Sequence, residues 1–221
     1  MHKVLASNVR ENMANVELFA RGRVEVAADA HHLPGWLTDE EQSRLADACE
    51  AWGKPPAGLR HVKVRGGEMS VETMCLGWHW LPYRYSRLCE DTDRSPVKPF
   101  PDWLGDLGRR ALLETTGDAC YAPDVALINW YAPTAKMGLH QDKDERSLAP
   151  VVSFSIGDPC IFRFGNTDNR SRPWTDVELR SGDLFVFGGP SRLAFHGVTK
   201  LLPGPFGGRW NVTLRESGLT E

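Results

Sequence analysis

Arg209-Trp210-Asn211-Val212-Thr213-Leu214-Arg215 alternates polar and apolar residues without a break. Successive side chains of a β-strand point to opposite faces, so this alternation predicts a strand with arginine, asparagine, threonine and arginine on one side and tryptophan, valine and leucine on the other. Further back along the chain, short apolar or alternating runs recur at residues 125–131, 149–156, 159–164, 176–179, 183–188 and 192–198, with turn residues between them. From about Asp124 onward the pattern is that of an all-β jelly roll. The expected fold is mainly β with flanking helices, built on a double-stranded β-helix of jelly-roll, cupin-like type.

Upstream, the periodicity changes. Thr38 with Glu41 three residues later forms a capping box, and Leu45, Ala48, Cys49 and Trp52 follow at helical spacing until Gly53 and Pro55-Pro56 end the run. A second helix is predicted over 102–116, with Trp103, Leu107, Ala111 and Leu112 on one side. Short strands are expected at 16–19 and 24–26. Residues 57–100 pattern weakly but mix Arg60, Lys63, Arg65, Trp78, Trp80, Tyr83, Arg84, Tyr85 and Arg87. Rings for stacking and cations for phosphate are what a flipped base or a single strand requires, although the same mixture also describes ordinary surface.

With 221 residues, the chain has room for one domain or one domain with a lid. A net charge of −3 argues against purely electrostatic binding to nucleic acid and leaves a local basic groove open. The five cysteines are odd in number and include no Cys-x-x-Cys pair, which argues against a disulfide framework or a cysteine zinc site. No apolar run approaches membrane-spanning length and the first ten residues do not read as a signal peptide, so a cytoplasmic protein is expected.

The chemistry centres on His140-Gln141-Asp142 and the distant His196. Residues i and i+2 of a strand share a face, so His140 and Asp142 can aim an imidazole and a carboxylate at one point. His196 from a distant strand would complete a facial triad suited to Fe(II) with three open positions. A surface loop is the alternative, since Lys143, Asp144, Glu145 and Arg146 follow. The strand at 209–215 bears on the choice. Two arginines lining a jelly-roll interior need anionic partners, and a dicarboxylate such as 2-oxoglutarate supplies two. A polar face open to water is the alternative for that strand.

Several stretches closely resemble the AlkB family of nucleic-acid dealkylases. They are Leu127-Ile128-Asn129-Trp130-Tyr131-Ala132-Pro133, Leu139-His140-Gln141-Asp142-Lys143-Asp144-Glu145, Ile161-Phe162-Arg163-Phe164-Gly165, Ser181-Gly182-Asp183, Gly188-Gly189-Pro190-Ser191-Arg192, His196-Gly197 and the Arg209/Asn211/Arg215 set. The resemblance is strong over 125–217, looser from about Leu33, and closer to the bacterial DNA-repair branch than to distant relatives. It implies that His140, Asp142 and His196 bind Fe(II), and that Asn129, Tyr131, Arg209, Asn211 and Arg215 hold 2-oxoglutarate. It further implies that Asp144 faces the target base, Trp78 stacks on it, and Tyr83 and Tyr85 contact the nucleotide backbone from a lid. Residues 1–30 then form an N-terminal extension, 31–123 the helices and nucleotide-recognition lid, and 124–221 the dioxygenase core, one structural domain overall. The implied reaction is oxidative repair of bases of the 1-methyladenine and 3-methylcytosine type, consuming O2 and 2-oxoglutarate and releasing succinate, CO2 and an aldehyde. The implied partner is alkylated DNA, single strands preferred, with RNA as a further substrate; a monomer is the default expectation for the oligomeric state. The chain departs from the family in the 78–83 loop, about two residues short and carrying Trp80 and Pro82, and in 166–172, where Arg170 or Arg172 replaces a base-contacting arginine. The rival readings are a 2-oxoglutarate oxygenase acting on RNA only, a protein or a small molecule, and a non-enzymatic cupin-like metal-binding module.

Overall fold

Capping and hydrophobic spacing place the two helices where the sequence predicts them. The computed structural model describes residues 21–64 and 67–220; the strand expected at 16–19 lies outside them. In chain order the elements are β1 (Val24–Ala27), β2 (Ala30–Leu33), α1 (Asp39–Trp52), β3 (Arg60–Val64), β4 (Gly67–Leu76), β5 (His79–Leu81), β6 (Arg84–Ser86), α2 (Asp102–Thr116), β7 (Val125–Tyr131), β8 (Met137–His140), β9 (Val151–Gly157), β10 (Cys160–Phe164), β11 (Thr175–Leu179), β12 (Leu184–Phe187), β13 (His196–Leu201) and β14 (Arg209–Arg215). The capping box at α1 is present, with Glu41 N donating to Thr38 Oγ1 at 3.2 Å and Thr38 N donating to Glu41 Oε2 at 2.9 Å.

The strands form an eight-stranded sheet in the order β1-β2-β12-β9-β14-β7-β4-β3, a four-stranded sheet β11-β10-β13-β8, and the separate hairpin β5-β6. The two larger sheets face each other across a layer that includes Phe162, Phe164, Phe185, Phe187 and Val198. Both helices cover the other side of the large sheet, where Leu45, Leu104 and Leu112 pack against Ile128, Phe154, Trp210, Val212 and Leu214. The chain is thus a jelly roll with helices outside it. Alternation in β14 sorts its residues as the sequence predicts, with the apolar set under the helices and Arg209, Asn211, Thr213 and Arg215 lining the space between the sheets.

Two features depart from the expectation. The weakly patterned 57–100 segment is not all lid, since β4 is a ten-residue strand paired with β7 from Glu72↔Trp130 to Leu76↔Ala126. The large sheet also crosses the boundary drawn at residue 124, because β1 to β4 all precede it. Helix α2 reaches β14 closely at Gly108, where a Cβ would stand 2.8 Å from Leu214 Cδ1.

Candidate active site

His140 ends β8, His196 opens β13, and the two are direct partners across that strand pair. Their ring centroids lie 4.5 Å apart. Each Nδ1 faces a backbone carbonyl two residues upstream, Gly138 at 3.0 Å and Ala194 at 2.9 Å. Donation to those carbonyls fixes the tautomer and leaves Nε2 as the lone-pair atom. Asp142 completes the group, with Oδ1 3.6 Å from His140 Nε2 and Oδ2 3.6 Å from His196 Nε2. The strand argument for Asp142 needs a correction, because β8 stops at His140. Arg192 holds the stretch beyond it, donating from Nη1 to the Asp142 carbonyl at 2.5 Å and from Nε to the Ala149 carbonyl at 2.8 Å.

The three residues suit a divalent iron. One ligand atom from each lies within 4.8 Å of the others. Asp142 Oδ2 is buried and makes no hydrogen bond; Arg215 Nη2 stands 2.7 Å away but off hydrogen-bond geometry. Two imidazoles and a carboxylate leave part of an octahedral sphere open for further ligands. Burial pushes the His196 imidazole down to about 4, so it is a neutral ligand at neutral pH. Burial works against the Asp142 carboxylate, yet Arg215, His196 and His140 outweigh it and hold the group below the usual carboxylate range.

Beside the triad is an inner compartment lined by Asn129, Tyr131, Arg209, Asn211, Thr213 and Arg215. Arg209 is only 1% exposed, donates from Nη2 to Ser155 Oγ at 3.0 Å, and has no partner at Nε. No carboxylate among the described residues pairs with it. A buried guanidinium without a counter-charge is costly, and a dianion bound here would supply one. Asn129 and Asn211 are held by neighbours, Asn129 Oδ1 accepting from Thr73 Oγ1 at 2.8 Å and Asn211 Nδ2 donating to Ser153 Oγ at 2.7 Å. Arg215 is already engaged, since its Nη1 donates to Glu145 Oε1 at 2.8 Å.

An outer cavity of about 590 Å³ shares Asn129, Met137, His140, Asp142 and Arg215 with the inner compartment, so the two communicate at the triad. Trp80, Tyr83, Phe195, Asp144 and Arg170 stand around it. Of the residues expected there, Asp144 and Tyr83 are present, Tyr83 at the hairpin turn and 74% exposed. Trp78 is not. It is 8% exposed, donates from Nε1 to Asp124 Oδ2 at 3.0 Å, and lies under the Arg87 guanidinium 3.5 Å away. The left-handed turn at Gly77 (φ 76°), where a Cβ would stand 2.0 Å from the Asp124 carbonyl oxygen, directs the chain that way. Trp80 occupies the cavity instead, its Nε1 donating to Asp144 Oδ2 at 2.8 Å. Tyr85 is likewise turned inward, its phenol donating to Glu145 rather than reaching a nucleic-acid backbone. Of the two candidate arginines in 166–172, Arg170 lines the cavity and Arg172 lies over Trp174. Trp80, Phe195, Glu145 and Arg192 were not assigned roles from sequence. The one available signal was the aromatic Trp80 at a position where the family is usually polar.

A jelly roll with two histidines and an aspartate opening onto buried arginines defines the Fe(II)- and 2-oxoglutarate-dependent oxygenases, and a model of the 2OG-Fe(II) oxygenase superfamily matches residues 29–215. The alpha-ketoglutarate-dependent dioxygenase AlkB of Escherichia coli K12 is 42% identical over 207 residues, covering 89% of this chain and 94% of that protein. The DNA N(6)-methyladenine demethylase ALKBH1D of Arabidopsis thaliana is 34% identical, covering 77% of this chain and 43% of that protein. Among solved structures, OsALKBH1 superposes with a TM-score of 0.76 and 31% identity, covering 87% of this chain and all of that one. The chain belongs to the AlkB family. It is an Fe(II)- and 2-oxoglutarate-dependent dioxygenase.

Proposed function

We propose that the enzyme removes N-alkyl groups from bases of the 1-methyladenine and 3-methylcytosine type in DNA, with single strands preferred and RNA as a further substrate. The observation that carries this reading is the outer cavity, with aromatic side chains at Trp80, Tyr83 and Phe195 and a carboxylate at Asp144. Stacking surfaces and an acceptor for an exocyclic amine are what an extruded base requires. A demethylase among its relatives, named for N(6)-methyladenine in DNA, supports a nucleobase as target. Scattered exposed apolar residues support a monomer, and free thiols, four of five buried, support the reducing cytoplasm.

His140, Asp142 and His196 would hold the iron, and Arg209, Arg215, Asn129, Asn211 and Tyr131 would surround the 2-oxoglutarate dianion. Iron with 2-oxoglutarate and O2 supplies the oxidation of the N-alkyl carbon, releasing succinate and CO2. The protein's part is placement. Trp80 and Tyr83 hold the base, Asp144 accepts from its amine, and Trp80 in turn holds Asp144. Phe162, Phe187 and Val198 exclude water from the inner compartment. The hydroxylated alkyl carbon then loses its bond to nitrogen, the hydroxyl proton passes to the ring, and an aldehyde leaves. Purified enzyme with Fe(II), ascorbate and 2-oxoglutarate is expected to demethylate a single-stranded 1-methyladenine oligonucleotide with matching succinate release. Succinate without loss of the methyl group from either the DNA or the RNA form of that strand would overturn the substrate assignment.

A further inference from the structure

The lid hairpin meets the loop after Asp142 at two consecutive acids. Trp80 and Tyr85 are direct partners across β5 and β6, so their side chains leave the hairpin on the same side. Trp80 donates to Asp144 and Tyr85 donates to Glu145. The Glu145 side chain is fully buried, and the oxygen that accepts from Tyr85 also accepts from Arg215 Nη1 at 2.8 Å. Its other oxygen accepts from Arg192 Nη2 at 3.1 Å. Arg215 lies between Glu145 and the triad, with Nη2 2.7 Å from Asp142 Oδ2 and Nε buried and unpartnered. The catalytic reading assigns Tyr85 and Glu145 no task, yet they form the only continuous hydrogen-bonded route, among the described residues, from the hairpin to that guanidinium.

We infer that Tyr85 and Glu145 are positioning residues for the co-substrate: the phenol fixes the Glu145 carboxylate, which orients Arg215 toward the inner compartment. This rests on the inner compartment being the 2-oxoglutarate site. Charge and orientation make opposite predictions here. Removing the negative charge of Glu145 strengthens the field around a bound dianion, so a purely electrostatic role makes Glu145→Gln bind 2-oxoglutarate more tightly. An orienting role makes it bind more weakly, because the uncharged amide accepts less strongly from Arg215 and its NH2 cannot accept from Arg192. The same hairpin also carries Trp80 and Tyr83 at the outer cavity, so substrate contacts and co-substrate orientation share one element.

The test is calorimetric titration of 2-oxoglutarate into the Fe(II) protein under anaerobic conditions, where no turnover occurs, with iron affinity and melting temperature measured in parallel. Tyr85→Phe, which changes no charge, is expected to raise the 2-oxoglutarate Kd about fivefold or more while iron affinity stays within about twofold. Glu145→Gln is expected to raise it further. Tyr85→Phe with an unchanged Kd and a lower melting temperature would make the phenol a structural strut and overturn the inference, as would tighter binding by Glu145→Gln. If the parent protein bound no 2-oxoglutarate, the reading of the inner compartment itself would fall, and this inference with it.

Discussion

Replacing Trp80 with alanine removes both an aromatic side chain of the outer cavity and the donor to Asp144. Stacking a base on an aromatic ring contributes about 1–3 kcal/mol. Trp80→Ala is therefore expected to raise KM for a methylated oligonucleotide roughly tenfold with little change in melting temperature. Trp78→Ala is expected to do the reverse, because that ring is buried against Cys75, Val125 and Leu127, and its truncation costs about 3–5 kcal/mol. Steady-state kinetics and denaturant melts on both variants decide the matter, and the opposite pattern would return Trp78 to the base. His196 makes a second prediction at this scale. Its folded value of about 4 lies below the ordinary 6.5, so the unfolded chain takes up a proton first as pH falls. Stability from this group is complete above pH 6.5 and drains away between 6.5 and 4, by roughly 3 kcal/mol. Metal-free protein melted across that range should show the decline, and His196→Asn should flatten it; an equal slope in the variant would refute the assignment.

Among the elements, legibility followed packing. β7 and β14 are bounded as the sequence predicts because one has a clean apolar run and the other alternates strictly. β4 was missed because Glu68 and Glu72 interrupt its apolar residues and Thr73 to Leu76 are all buried, which erases the alternation. The grouping of His140, Asp142 and His196 and the shared face of Arg209 and Arg215 were readable because they depend on residue type and a few fixed separations. The tryptophan at the cavity was not, because one left-handed turn at Gly77 and the short hairpin decide which of two nearby rings faces the site. The contact of α2 with β14 at Gly108 belongs to this scale. Gly108→Val would force the helix outward against Leu214, Tyr121 and Pro123, and a loss of about 1–3 kcal/mol in urea unfolding is expected. An unchanged unfolding midpoint would mean the sheet yields there freely.

At the scale of the whole molecule, two carboxylates, Asp142 and Glu145, face two guanidiniums, Arg192 and Arg215, while Arg209 has no counter-charge among the described residues. A dication and a dianion entering together add no net charge, so each stabilises the other. Anaerobic Fe(II) with 2-oxoglutarate at about a hundred times its Kd should stabilise the fold by about 2.7 kcal/mol, seen as a rise of several degrees in melting temperature. A chelator should reverse that rise; a melting temperature indifferent to both additions would argue against a shared site.

β14 lies between β9 and β7 in the large sheet, yet it is the last of the described strands in chain order. Until residues 209–215 emerge in synthesis, β9 and β7 have no strand between them, so a half-sheet formed from β12-β9 or from β4-β7 would present an open edge. Open strand edges recruit other chains, and pairings distant in sequence form slowly. A nascent chain halted before Arg209 would carry two aggregation-prone seams, and the same seven residues that complete the fold bring both arginines to the site.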